Sequence, residues 1–204
     1  MQAVVLLGAV IIIGFVFADW RAFTRVSHTA LGYGLAIARQ RDRLRLTPCD
    51  FGAHGRLRLG HGVAQQFPDH HAIMLLPDLK RFGISFRTAW PLNGVVYYHN
   101  LKDDSEIRLV KRIPWSSAVL TFLWFLTVAG GLIAYLVSYA QAGGFASASG
   151  AFLAAALGGL GLLVFIFGLL VVVAAYWLED KRLMVVYQEL RSALCAPRIE
   201  TPTI

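Results

Sequence analysis

Two stretches of this chain run for about 25 residues or more without a charge. They are residues 115–140 (WSSAVLTFLWFLTVAGGLIAYLVSYA) and 151–178 (AFLAAALGGLGLLVFIFGLLVVVAAYWL). A helix that is apolar all round has no water-facing side, so it belongs in a large core or in lipid. About 20 apolar residues cross the ~30 Å hydrocarbon layer, so both stretches are expected to be transmembrane helices. Trp115, Tyr139, Tyr176 and Trp177 lie near their ends, where amphipathic rings suit the lipid–water interface. The connection QAGGFASASG is short and uncharged, which makes the two spans a helical hairpin.

A third uncharged run, Ala3 to Ala18, is near the lower limit for a span. A cleaved signal peptide is the competing reading. It lacks a positive region before the run, and FADW is a poor small-x-small cleavage site, so an uncleaved anchor is expected. The balance of 57% hydrophobic to 15% charged residues agrees with a membrane chain. The two cysteines, Cys49 and Cys195, are far apart and have no framework spacing, so no disulfide-stapled scaffold is expected.

Arg and Lys near the span ends predict orientation. Arg21 and Arg25 follow the first span, Arg108, Lys111 and Arg112 precede the second, and Lys181 and Arg182 follow the third. The hairpin loop has no basic residue. The expected topology puts the N-terminus outside, with residues 20–114 and the C-terminus inside, in a bacterial inner membrane. No span contains Asp, Glu, Lys, Arg or His, the groups that ion pathways and proton relays place in the bilayer. There is no inverted repeat, so a self-contained transporter is not expected.

Small residues recur at four-residue steps. Gly130, Ala134 and Ser138 form one row on the second span. Gly150, Ala154, Gly158 and, beside them, Ala151, Ala155, Gly159 form two on the third. Such rows let helix backbones approach closely in lipid. They serve either the packing of the hairpin on itself or the docking of another integral subunit.

The region between the first and second spans divides at about residue 43. In its first part Trp20, Phe23, Val26, Ala30 and Leu31 have helical spacing, and Gly32 and Gly34 weaken the pattern. A basic juxtamembrane helix or linker is expected over 20–43. Arginines cluster here and beyond: Arg39, Arg41, Arg43, Arg45, Arg56 and Arg58. Near an anionic leaflet each would add about 1 kcal/mol of attraction, so lipid headgroups are candidate partners; a merely solvated basic face is the alternative. No nucleic-acid motif or aromatic interleaving accompanies them, and no nucleic acid is expected.

From Leu44 to Pro114 the pattern alternates. RLRLT (43–47), RLRLG (56–60), AIMLL (72–76), FGISFR (82–87), GVVYYHN (94–100) and EIRLVKR (106–112) read as short strands between turn signals. A small antiparallel β-rich cytoplasmic domain is expected, with a hairpin across LKDD. After the third span, Leu183, Val186, Leu190 and Ala193 or Leu194 form an apolar helical stripe that has to pack on the β domain or on a partner. A loose tail follows within 179–204.

Four of the six histidines lie between Gly52 and His71: His54, His61, His70 and His71. Metal ligands are best aimed together at i, i+3 or i, i+4 on a helix, or at i, i+2 on a strand. No two histidines have such a spacing. Only Asp69 and His71 have a strand-compatible one, so no metal and no cofactor are expected. GYGLAI (32–37) and GHGVAQ (60–65) begin like a dinucleotide fingerprint but lack its third glycine and βαβ setting. No GxSxG elbow or P-loop is present, and no small-molecule substrate is identified.

The expected fold is therefore a membrane α-helical chain, an N-terminal anchor over 1–19 plus a C-terminal hairpin over 115–178, with an inserted small antiparallel β-rich soluble domain over 44–114. The expected function is non-catalytic: an accessory, assembly or scaffolding subunit of a larger bacterial inner-membrane complex, acting by protein–protein interaction. Two alternatives are a membrane-tethered metal protein or enzyme around His54–His71 and Cys49, and an anionic-lipid-binding or signalling module.

Overall fold

The computed structural model describes residues 2–45, 51–52, 54–83, 88–99 and 104–195. Three helices are long and apolar enough to cross a membrane, and between the first and second lies one antiparallel sheet. The helices are α1 (Gln2–Thr24), α2 (Trp115–Gln141) and α3 (Ala148–Cys195). The strands are β1 (Leu35–Arg45), β2 (Arg56–Arg58), β3 (Gly62–Phe67), β4 (Ala72–Pro77), β5 (Asn93–Tyr98) and β6 (Asp104–Ile113). Their order is β1-β6-β5-β4-β3-β2, so β2 through β6 form a meander and β1 closes onto β6.

The stretch after α1 departs from the expected helix. α1 ends at Thr24, a 3-10 turn follows at His28–Leu31, and β1 starts at Leu35. Gly34 makes the change of direction: its φ is +88°, and a side chain there would run into the Ile113 carbonyl. From Leu35 the chain pairs residue by residue with β6, Leu35 opposite Ile113 and Arg45 opposite Asp104. Long-range pairing overrides the helical spacing seen locally. Residues 43–45 of the strand expected at 43–47 form the end of this longer one, and 46–47 lie outside the described residues.

β3 was not expected. Its inward residues are Gly62 and Ala64, small because α3 lies on them: a Cβ at Gly62 would sit 3.0 Å from Val186 Cγ1. Where a strand was expected over 82–87, Leu79–Phe82 is a 3-10 turn, and residues 84–87 lie outside the described residues. The LKDD turn expected between β5 and β6 lies outside them up to residue 103.

α3 is one continuous helix of 48 residues, about 72 Å at 1.5 Å per residue. Its C-terminal half settles the apolar stripe read from sequence. Leu183, Val186, Tyr187, Leu190 and Leu194 pack on Ala64, Ile73, Leu75, Val96, Ile107 and Leu109 of the sheet. Burying each large side chain stabilises by roughly 1.5–3 kcal/mol, so this contact dominates the soluble core. The opposite sheet face is covered at Phe67, Ala72, Met74 and Val95 by Ala30 and Leu31 of the 3-10 turn. The sheet is thus held between the C-terminal half of α3 and the 3-10 turn that follows α1.

Candidate functional site

Where the sheet meets the helices, buried polar groups tie the two parts together. Asp19, only 3% exposed, stands one residue past the apolar run of α1. The Ser116 N–H (2.9 Å) and hydroxyl (2.6 Å) donate to its Oδ2, and the Tyr33 hydroxyl (2.6 Å) donates to its Oδ1. α2 begins after Pro114, which has no side chain able to cap, so Asp19 of another helix supplies the missing acceptor at its N-terminus. The hydrogen bond to Asp19, then burial and the carboxylate's charge, raise the Tyr33 pKa above its ordinary value.

A second tie is Glu179, in the first turn beyond the apolar part of α3. Its Oε1 accepts from the Thr88 N–H (3.3 Å) and hydroxyl (3.1 Å) and from Arg182 Nη1 (2.8 Å). Both side chains of the Glu179–Arg182 pair are 4% exposed. Lys111 of β6 donates to Asp180, and Asn93 of β5 donates to the Phe23 carbonyl at 2.7 Å. Trp90 lies against α2, its indole N–H donating to Thr121 at 2.7 Å. One side of Trp90 opens on an apolar groove of about 320 Å³ between α2 and α3, lined by Trp124, Phe125, Phe167 and Gly168.

The histidines separate. His54 is exposed in a turn. His70 ends the 3-10 turn Pro68–His70, and its ring lies 5.4 Å from that of His28. His71 has φ 46° and ψ 46°, a left-handed turn conformation, so Asp69 and His71 do not share a strand face. This removes the geometry on which their pairing rested. His61 instead meets Glu189 of α3: its N–H donates at 2.9 Å, and Nδ1 lies 2.5 Å from the carboxylate. Burial acts to raise the Glu189 pKa, but the hydrogen bonds from His61 outweigh it and the net shift is downward. Among the described residues no group of three or more metal-ligating side chains forms; Cys49 lies outside them.

The arginines divide between the two edges of the sheet. Arg39, Arg41, Arg43 and Arg45 stand on β1, while Arg56 and Arg58 stand on β2, at the far edge. Five strand spacings separate them, about 24 Å. They are therefore not one cluster. Alternate β1 residues share a face, and Arg41 faces Arg108 of β6 directly. Glu106 lies 3.6 Å from Arg41. On the other face Asp42 is 3.4 Å from Arg191 near the end of α3 and within reach of the Tyr187 hydroxyl. Burial, with the charge of Asp42, pushes the Tyr187 pKa up to about 12.

The small-residue rows also part company. Ala154 is 2% exposed, and a Cβ on Gly158 would lie 4.0 Å from Leu136, so this row faces α2. Gly150 sits against Gly144 where the hairpin turns. Gly130, Ala134 and Ser138 are exposed, as are Ala151, Ala155 and Gly159. The α2–α3 seam uses two glycines that the rows did not include. A Cβ at Gly161 would lie 2.8 Å from Leu132, and one at Gly168 would enter the Trp124 ring. Ala154, Gly161 and Gly168 are seven apart, the step at which one helix face returns to its partner in left-handed packing. That seven-residue step is present in the sequence and could have identified the seam.

In comparisons with known proteins, the chain matches no family model, no curated protein and no solved structure.

Proposed function

We propose that this chain is a non-catalytic accessory, assembly or scaffolding subunit of a larger bacterial inner-membrane complex. In this reading the N-terminus faces outside, and the sheet and the C-terminus are cytoplasmic. The observation that carries it is the use of the small-residue rows. The hairpin spends Ala154 and Gly158 on its own packing and leaves Gly130, Ala134, Ser138 and Ala151, Ala155, Gly159 exposed. In lipid, surfaces of this kind suit close approach by another helix, because no hydrophobic force drives association there. The bonds from Lys111 to Asp180 and from Asn93 to the Phe23 carbonyl fix the sheet to the helices, as a scaffold requires.

The test is affinity purification in mild detergent. A stoichiometric integral-membrane partner should accompany the wild type, and Ala134→Leu with Ala155→Leu should release it while the chain stays folded. Recovery of the wild type as a lone monomer would overturn the proposal.

A further inference from the structure

We infer that the free edge of β1 docks an extended acidic segment of a partner protein, added to the sheet as a seventh strand. β1 is 11 residues long and pairs only with β6 among the described strands, so its other edge presents unpaired backbone donors and acceptors. The opposite edge, β2, has three residues and offers little to pair with. Recognition by strand addition takes its affinity from main-chain hydrogen bonds and its selectivity from every second side chain.

Charge selects the occupant. Arg39, Arg41 and Arg43 are exposed and alternate along the strand, and Arg108 stands opposite Arg41 on the same face. Glu106 is the one carboxylate paired with them among the described side chains. Arginines directly opposed across strands repel. A strand with Glu or Asp at every second position relieves that repulsion. A second copy of this chain is disfavoured, because β1 beside β1 brings arginine against arginine.

Height above the membrane separates this reading from headgroup binding. Asp42, between Arg41 and Arg43, contacts Arg191. Arg191 is 13 residues beyond Leu178, where the apolar run ends, or about 20 Å along the helix. Even at the ~40° upper end of helix tilt this leaves about 15 Å. Headgroups occupy roughly 5–8 Å beyond the hydrocarbon. The remaining distance is about the ~8 Å over which salt screens exposed charges. A protein segment reaches that height, where Arg41 and Arg43 stand; a lipid phosphate does not. Arg39 stands lower, beside Ala38, whose partner Lys111 contacts Asp180.

This refines the accessory-subunit reading by naming the chemistry of one partner, and its assay is independent of co-purification. The full chain in neutral phosphatidylcholine nanodiscs is titrated with a fluorescent nonapeptide alternating threonine and glutamate. Saturable binding is expected, with affinity reduced at least ~10-fold by Arg41→Glu with Arg43→Glu. The same peptide N-methylated on every backbone nitrogen should not bind, since it keeps the charge and cannot donate to a ladder in either register. This control leaves the protein unaltered, so it holds even if the variant misfolds. Equal binding of the N-methylated peptide would reduce the contact to charge alone and overturn the strand addition. Absence of binding by the unmodified peptide, or arginine-dependent capture of phosphatidylglycerol vesicles in its place, would also overturn it. A lone monomer in co-purification with an intact peptide isotherm would count against the scaffold and not against this edge.

Discussion

Removing the Asp19 carboxylate tests the most connected tie among α1, α2 and the loop that leads into β1. Three donors converge on it, at 2.6 to 2.9 Å: the Ser116 N–H, the Ser116 hydroxyl and the Tyr33 hydroxyl. A hydrogen bond to a charged group contributes about 1.5–3 kcal/mol, and three that share one carboxylate are not additive. Against them stands the desolvation of a buried carboxylate, which Asp19→Ala recovers. The orphaned N–H at the start of α2 and two stranded hydroxyls outweigh that recovery, because these donors lose their acceptor where water is scarce. The expected net loss for Asp19→Ala is about 3 kcal/mol. For a chain of this size each kcal/mol shifts Tm by about 2–4 °C, so a fall of roughly 6–12 °C is expected. Asp19→Asn keeps one acceptor and turns an amide donor toward other donors, and should lose less, about 1–2 kcal/mol. Tyr33→Phe removes one neutral donor and should lose about 1 kcal/mol. The assay is thermal unfolding in dodecyl maltoside, read by loss of the monodisperse peak in gel filtration. An Asp19→Ala protein that melts within a degree or two of wild type would refute the reasoning.

Glu189→Gln tests the tie between α3 and the β2–β3 turn. The folded pKa of Glu189 is lowered, so its contribution is present above the ordinary carboxylate range and is lost as pH falls through the folded value. The Tm difference between wild type and variant should be largest near neutrality and close up in acid; a constant difference would contradict this. Alkaline titration at the phenolate absorbance band should show one tyrosine ionising near pH 12 in wild type and not in Tyr187→Phe. In the membrane, Gly168→Leu should separate α2 from α3, because its side chain would enter the Trp124 ring; Gly130→Leu meets open space and should leave the hairpin intact. Disulfide crosslinking between cysteines placed on the two helices measures both.

The three long apolar helices were legible because length and the absence of charge form a signal within a single stretch of chain. β4 and β5 were legible because both of their faces carry apolar residues, and β6 because Ile107 and Leu109 alternate with Glu106 and Arg108 along it. β1 was obscured by chemistry: Leu35 and Ile37 remain 38% and 37% exposed, and its alternation is carried by arginines, which read as a charge cluster. β3 was obscured because helix α3 crosses it closely, so its inward positions are Gly62 and Ala64 where a hydrophobic pattern would show Val or Leu. The buried ties were out of reach for a different reason. Asp19 and Ser116 are 97 residues apart, and His61 and Glu189 are 128 apart. Each carries no local mark of its partner. The histidine cluster was a cluster only along the chain, and the left-handed turn at His71 disperses it.

Sharp helix kinks arise at proline, at glycine or where the hydrogen-bond ladder is interrupted. Between Gly168 and Cys195 α3 has neither residue, and the apolar run ends at Leu178 inside that stretch. The chain has no hinge there. Tilt of the apolar part of α3 is passed directly to the sheet, as by the arm of a balance. About 25 Å of helix projects beyond Leu178, so a tilt of about 10° moves its tip by roughly 4 Å. Bilayer thickness sets the tilt of a long apolar helix, and for this chain inserted in a bilayer it would also set how far the arginines of β1 stand from the surface.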